Sequence, residues 1–424
     1  MERTLNRWMV AVICTLLMVS LGTVYAWSFF QKPLGDNYGW TNSQVAWAFS
    51  LAICFLGLAA AAGGMLLPKF GPTRLALLGG VLFGSGYLLA ALALRLHSLP
   101  LLYLGYGVVG GTGLGLGYVT PVATVAKWFP DRKGFATGMV VMGFGFGALL
   151  MSKLVAPLLL ARFAGNMVSV FAAMGVLFLL VTVSAAAFVR NPPPGWLPAG
   201  YAPPPLTGVN SPDAGEREAR SCILSREFAL LWVIFFCNIA AGIAIIGFQS
   251  PLFQEICSKA DPALGRDVLA RYGATLIAVS SLFNGIGRFL WGGLSDRIGR
   301  RETFRLLLGS QFLAFLLLMY TGSPWLFALL ICYILLCYGG GFGTMPSFVL
   351  DRFGSRVMPA VYGSILTAWS AAGIAGPQLV ALLKDRYPAE LYPGRAPFYS
   401  FAMGCGFLLV GLAFSLLLPS RRRD

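Results

Sequence analysis

Twelve times along this chain a run of about twenty mostly apolar residues recurs, and little else is long enough to form a conventional core. The runs lie near 8–30, 44–67, 75–94, 100–126, 134–157 and 168–188, then 228–253, 272–293, 304–321, 325–349, 359–383 and 398–418. About 20 apolar residues are what a helix needs to cross roughly 30 Å of hydrocarbon. The bilayer also suits the composition. Only 11% of the residues are charged and mean hydropathy is +0.75, too little charge to cover a water-facing surface. The first run is too long and too aromatic for a cleaved leader. The expected fold is therefore an all-α membrane protein with twelve transmembrane helices in two six-helix bundles.

Between the sixth and seventh runs the character changes. Asn191 opens a proline-rich stretch that continues through Tyr201 and then becomes polar and charged around Ser211. Such sequence cannot span a bilayer and is expected to be a linker. This gives an N-terminal bundle over 1–190, a cytoplasmic linker over 191–227 and a C-terminal bundle over 228–424.

The net charge of +15 raises the question of a nucleic-acid partner, but the basic residues are scattered in the short gaps between apolar runs. That is a topology signal rather than a phosphate-binding face. With the N-terminus in the cytoplasm, the inside segments hold about 20 Lys and Arg and the outside segments about 10, in the sense of the positive-inside rule. Arg7, Lys69, Lys127, Arg132, Lys133, Arg190, Arg297, Arg300, Arg301 and Arg421 to Arg423 belong to the inside set. The expectation is a multi-pass protein of the cell (inner or plasma) membrane with both termini cytoplasmic. Cys14, Cys54, Cys222, Cys237, Cys257, Cys332, Cys337 and Cys405 form no C-x-x-C pattern, so they read as packing residues, and neither a metal nor a cofactor is expected.

The two halves repeat. Gly64, Lys69 and Gly71 after the second run coincide with Gly292, Arg297 and Gly299 after the eighth, at an offset of about 228 residues. Internal symmetry of this kind is characteristic of transporters whose substrate site lies at midplane between the repeats. The second copy, Gly292 to Arg301 with Asp296 and Arg300, resembles the loop signature of the major facilitator superfamily. The expected role is a glycine turn that carries charge, with Asp296 capping or pairing across the bundle interface. The first copy has Pro68 where the pattern has an aspartate.

Two further stretches narrow the resemblance. Gly113 to Gly134, including Tyr118, Pro121, Trp128 and Pro130, and Gly22 to Phe29, including Tyr25, Trp27 and Ser28, are similar to the oxalate/formate antiporter family. Asn284 to Gly292 adds a third such stretch. That family is related to the monocarboxylate transporters, some bacterial members of which move lactate or pyruvate.

One charge does not sit at a helix end. Arg288 lies about eight residues before Asp296, within the eighth run. A membrane-centre arginine costs roughly 2.5–3.5 kcal/mol on insertion scales, so it normally faces a wet cavity and marks function. Its planar fork matches a carboxylate bidentately. The acids Asp36, Glu255, Asp261 and Asp385 fall near the outer ends and do not compete for it. Ser281, Asn284 and Arg288 are three and four residues apart and share a helix face. A structural arginine bonded to backbone carbonyls is the plainer alternative. The resemblance implies that Arg288 binds the substrate carboxylate. It also implies a lysine in helix 11 of oxalate-transporting relatives, where this chain has Trp369, so a single cation favours a monocarboxylate.

By the same resemblance helices 1, 4, 7 and 10 edge the pocket. They offer Tyr25, Trp27, Ser28, Tyr118, Asn238, Gln249, Tyr333, Tyr338 and Phe342, any of which can equally be packing. The candidate substrate site is thus Arg288, Asn284, Tyr118, Tyr338, Phe342, Trp369, Tyr25 and Ser28. The candidate gating loop is Gly292, Asp296, Arg297, Gly299 and Arg300. The expected activity is secondary transport of a small monocarboxylate of the lactate/pyruvate type by alternating access, coupled to protons, in a monomer whose partners are the substrate, a proton or counter-anion, and the bilayer. No nucleic-acid partner is expected. The alternatives are an organic-anion exchanger of the oxalate/formate kind and a non-transporting receptor on the same fold. No nucleophile–base pair, metal set or phosphate loop suggests an enzyme.

Overall fold

A computed structural model describes residues 6–131, 133–193, 195–198, 200, 219–354, 357–389 and 391–418. Arg132, Arg421 to Arg423, most of the polar linker and the side chain of Pro68 lie outside the described residues. Every long element is helical, as a hydrocarbon solvent requires, because a helix satisfies its own backbone groups. Among the described residues twelve helices are long and apolar enough to span a membrane. They are α1 (Arg7–Tyr38), α2 (Asn42–Phe70), α3 (Pro72–Arg95), α4 (Leu99–Trp128), α5 (133–162), α6 (Met167–Ala186), α7 (Arg226–Ala260), α8 (Arg266–Ile298), α9 (Arg300–Tyr320), α10 (Pro324–Phe353), α11 (358–386) and α12 (Arg395–Leu416). Each corresponds to one apolar run.

The turns between helices follow from local chemistry. Gly39 ends α1 in the left-handed region at φ 67, where only glycine avoids a Cβ clash. Thr41 then caps α2, and its side chain and that of Gln44 satisfy each other's backbone N–H groups, a capping box. Gly71 joins α2 to α3 with φ 77 and ψ 163, and Gly299 joins α8 to α9 with φ 90 and ψ 148. The pair that coincides in the sequence repeat therefore also shares a backbone conformation.

The helix contacts repeat as well. α3 packs on α6 and α9 on α12; α2 packs on α4 and α8 on α10; α1 packs on α5 and α7 on α11. Adding six to each number maps one set onto the other. The contacts between the sets obey the same operation, with α2 against α11 and α5 against α8. The molecule thus has an end carrying Arg7, Gly71 and Gly299 and an opposite end carrying Gly39 and Asn42.

The start of the linker folds onto the first set of helices. Trp128 at the end of α4 donates its indole N–H to the Arg190 carbonyl at 2.7 Å, and its ring meets Trp196 edge-on at 4.9 Å.

The gating-loop residues differ in part from expectation. α8 continues through Gly292 to Ile298, so Gly292 is a helical residue beside α10 and the turn belongs to Gly299 alone. Asp296 pairs with Arg300 at 2.6 Å, an i,i+4 contact within its own half rather than across the interface. Arg300 also reaches Asp351 at 3.1 Å and the Ser295 hydroxyl, while Arg297 is exposed. The physical reason is reach: Arg300 begins α9 one turn from Asp296 and holds the aspartate locally.

Candidate substrate site

The site is built on the crossing of α8 and α10. A Cβ placed on Gly339 would lie 2.0 Å from the Asn284 carbonyl oxygen, and one on Gly343 would lie 2.2 Å from that of Arg288. Gly287 meets the Leu336 carbonyl at 2.0 Å in the same sense. Only glycine lets two helices touch backbone to backbone along such a line, the small-residue contact typical of membrane helices. This contact presses the Arg288 backbone onto α10 and sends its side chain along Phe342.

Arg288 is only 3% exposed. Its guanidinium carbon is 5.1 Å from the centroid of the Phe342 ring, within cation–π range. Its Nε and both terminal nitrogens make no well-formed hydrogen bond among the described residues; its polar neighbour is the Tyr118 hydroxyl. A ring face returns only part of the hydration that a buried guanidinium gives up. Among the described residues Arg288 is also the sole charged side chain classed as buried, and no Asp, Glu or His joins it.

Around it stands a cage of aromatic rings from both sets of helices. Tyr25 comes from α1, where a 3-10 turn over Thr23–Ala26 interrupts the helix. Tyr118 comes from α4, Phe144 from α5, Tyr338 and Phe342 from α10, and Trp369 from α11. Trp369 lies 4.6 Å from Phe342, 5.4 Å from Tyr118, 5.9 Å from Phe144 and 6.4 Å from Tyr25, measured between ring centroids. Tyr25 and Tyr338 share a hydroxyl–hydroxyl hydrogen bond of 2.8 Å. The phenols of Tyr25, Tyr118, Tyr338 and Tyr362 are near enough to interact with the Arg288 charge. Buried polar atoms without a well-formed hydrogen bond among the described residues include the Tyr118 hydroxyl, the Trp369 indole N–H, the Ser28 hydroxyl and Asn284 Oδ1, although Tyr118 lies beside Arg288 and Tyr362, and Trp369 beside Tyr338.

Native interiors leave few buried polar atoms unpaired. Here a guanidinium, a phenol and an indole N–H lie near one another without well-formed hydrogen bonds, and each can donate. Such a set is chemically suited to a small anion.

The structure brings together Arg288, Tyr118, Tyr338, Phe342, Trp369 and Tyr25. Asn284 lies one turn from Arg288 and is 1% exposed, against Gly339. Ser28 is buried one turn beyond Tyr25. Other residues read as pocket edges are engaged elsewhere. Trp27 donates to Gln31 at 3.0 Å and stacks near Tyr106; Asn238 accepts from Gln311 at 2.8 Å; Gln249 accepts from Ser280 at 2.7 Å. Ser281, on the Arg288 face, bonds the Gly145 carbonyl of α5 and accepts from the Leu149 N–H, so it fastens α8 to α5. Phe144 and Tyr362 are the members that sequence reasoning missed. Phe144 has a signal in the alternating Gly143, Gly145 and Gly147 around it, and Tyr362 precedes Trp369 by two helical turns.

Among the described residues no group of His, Cys, Asp and Glu is arranged to hold a metal.

Comparison with known proteins adds three kinds of finding. The family model of the Major Facilitator Superfamily matches residues 11–377. The chain is 27% identical over 408 residues to the oxalate:formate antiporter of Oxalobacter formigenes, covering 94% of this chain and 90% of that one. It is 28% identical over 385 residues to apicoplast pyruvate carrier 1 of Toxoplasma gondii, covering 78% and 68%. It is 26% identical over 384 residues to monocarboxylate transporter 11 of Homo sapiens, covering 87% and 74%. In fold it is similar to a bacterial homolog of the human lysosomal transporter Spinster in an inward-facing, unoccupied conformation. The TM-score is 0.70 at 16% identity, over 97% of this chain and 96% of that one.

Proposed function

This chain belongs to the major facilitator superfamily, and we propose that it is a secondary transporter of a small monocarboxylate of the lactate/pyruvate type. The observation that carries this reading is Arg288, a buried cation with no acidic partner and no well-formed hydrogen bond among the described residues, inside an aromatic cage built from both sets of helices. A buried guanidinium without well-formed hydrogen bonds is stabilised most by a carboxylate that binds its fork. One cation balances one carboxylate, and by the resemblance Trp369 takes the position at which oxalate-transporting relatives carry a lysine. The similarity to an oxalate:formate antiporter, a pyruvate carrier and monocarboxylate transporters supports the same chemical class.

In this reading the halves 1–190 and 228–424 rock about the cage, joined by the 191–227 linker, and expose it to each side in turn. The bias of basic residues supports cytoplasmic termini in the cell membrane. The protein works as a carrier rather than an enzyme.

Proton-linked movement is one way to balance the charge. Exchange of one anion for another is the second reading, and it has an observation of its own. The described residues place no buried acid or histidine beside Arg288, so the empty cage carries an uncompensated cation that disfavours its return without cargo. Uptake of labelled lactate, pyruvate, formate and oxalate into proteoliposomes, with and without an inward proton gradient and with and without internal anion, separates the two. Saturable uptake with counterflow supports a carrier; its absence for every monocarboxylate overturns the proposal.

A further inference from the structure

The two halves touch along α2 against α11 and α5 against α8, and among the described residues the polar contacts across these seams run from the centre toward the opposite end. On the first seam Ser370 donates to the Cys54 carbonyl at 2.7 Å, and Gln378 reaches Ser50 at 3.3 Å. The seam then ends on one carboxylate. Asp385, near the end of α11, accepts from the Asn42 backbone N–H at 3.0 Å, the Asn42 side chain at 3.1 Å and the Ser43 backbone N–H at 2.9 Å, and it also takes the Ser43 hydroxyl.

These donors are the first residues of α2, where backbone N–H groups have no partner within the helix and the helix dipole is positive. A carboxylate there makes charge-assisted bonds. The start of α2 is meanwhile held by its own half. Gln31 of α1 donates to the Asn42 carbonyl at 3.0 Å, Tyr103 of α4 donates to the Gln44 carbonyl at 2.8 Å, and Thr41 closes the capping box. Asp385 therefore reaches from one half onto a rigid dock on the other. The second seam carries its counterpart at the same end, where Lys153 of α5 donates to the Thr275 hydroxyl of α8 at 2.5 Å.

Outside this contact lies a cavity of about 750 Å³ lined by both halves, with Asn42, Val45 and Asp385 in its wall. Val45 is fully buried, less than one turn beyond Ser43. The contact thus lies where a path from that cavity toward the cage would have to part the two halves.

We propose that Asp385 is a positioning residue of the transport cycle, a clasp that holds the two halves shut at the end away from the termini and whose release opens the cage to that side. It rests on the alternating-access reading but not on the identity of the cargo. Release exchanges several bonds on one carboxylate for contacts with water, so removing that carboxylate shifts the population toward the form open at this end.

The test places a reporter thiol with Val45→Cys and follows its labelling by a membrane-impermeant maleimide applied from the Asn42 end, as the increment over the same chain without the reporter. Asp385→Ala is expected to speed labelling several-fold, Ser43→Ala less and in the same direction, and Asp36→Asn, an exposed acid of the same cavity, not at all. Equal labelling rates in the Asp385→Ala and parent proteins would overturn the clasp. Should Asp385→Ala fail to fold, Asp385→Asn serves instead, because it keeps the size of the side chain and one acceptor oxygen while removing the charge. It must likewise speed labelling over the parent, and an unchanged rate overturns the clasp equally. A response in labelling without monocarboxylate uptake would leave the clasp standing and remove the proposed cargo.

Discussion

The hydroxyls of Tyr25 and Tyr338 meet at 2.8 Å, one carried by each half of the molecule. Both phenols lie near enough to Arg288 to interact with its charge. The cage is thus closed by a bond between the halves at the place where cargo is expected to bind. A buried hydrogen bond of this kind contributes about 0.5–1.5 kcal/mol. Tyr25→Phe and Tyr338→Phe are each expected to lower kcat/KM for monocarboxylate uptake by roughly 2- to 12-fold. Since one bond is lost either way, the double variant is expected to fall well short of the product of the two. Full additivity in the cycle would separate the two hydroxyls functionally.

The contact of α8 with α10 makes a prediction about glycine. Gly339→Ala and Gly343→Ala drive a methyl into the Asn284 and Arg288 carbonyls, and overpacking of this kind costs about 1–3 kcal/mol. Both variants are expected to lower the thermal midpoint in detergent and to reduce uptake by displacing Arg288. Gly309→Ala in α9 is the control, because a Cβ there meets nothing within 4 Å. It is expected to leave the midpoint unchanged or raise it slightly, alanine being the better helix former.

Much of this arrangement was legible in the sequence, for identifiable reasons. Membrane helices announce themselves by length and hydropathy, so each of the twelve spans could be read, although polar ends such as those before Tyr38 and Ala260 extend the helices beyond their apolar runs. Arg288 stood out because charge is rare inside such runs. The rings were harder. Phe144 faces the cage while Phe171, equally buried, packs beside Phe30 and Tyr87 in the first half, and nothing in an apolar run distinguishes the two. Asp385 read only as a charge at a helix end. Its partners Asn42 and Ser43 are more than 340 residues away in the chain, and only the α2–α11 packing joins them. Gly292 misled in the other direction, because a helix that continues to Ile298 absorbs a glycine that the repeat pattern suggested as a turn.

Trp369 gives the prediction about cargo charge. It is fully buried, and it lies against Phe342, whose ring Arg288 also faces. Trp369→Lys would set a second cation in the cage, stabilised best by a dianion and repelled by Arg288 when a monoanion is bound. Oxalate uptake is expected to rise relative to lactate or pyruvate. Oxalate exclusion that persists in this variant would count against the role of one cation in selecting one carboxylate.

Asn284 gives the prediction about coupling. It lies one turn before Arg288 on the same face, so a carboxylate introduced there would pair with the guanidinium when no cargo is bound. If exchange is the native mode, Asn284→Asp is expected to permit return of the empty carrier and net uptake without internal anion. The readout is the ratio of net uptake to counterflow, which is predicted to increase. An unchanged ratio would set the barrier to empty return elsewhere than in the bare Arg288 charge.

The central claim is that Arg288 holds the carboxylate of the cargo, and labelled monocarboxylate uptake into proteoliposomes tests it most directly. Leaving a charged partner unpaired in a dry site costs about 3–5 kcal/mol, a factor of roughly 10² to 10³ or more in affinity. Arg288→Ala is predicted to lose saturable uptake by at least the lower factor. Arg288→Lys, which keeps the charge without the fork, is predicted to retain a small part of it. An Arg288→Ala protein that reconstitutes normally and transports within about threefold of the parent, well under 1 kcal/mol, would contradict the account.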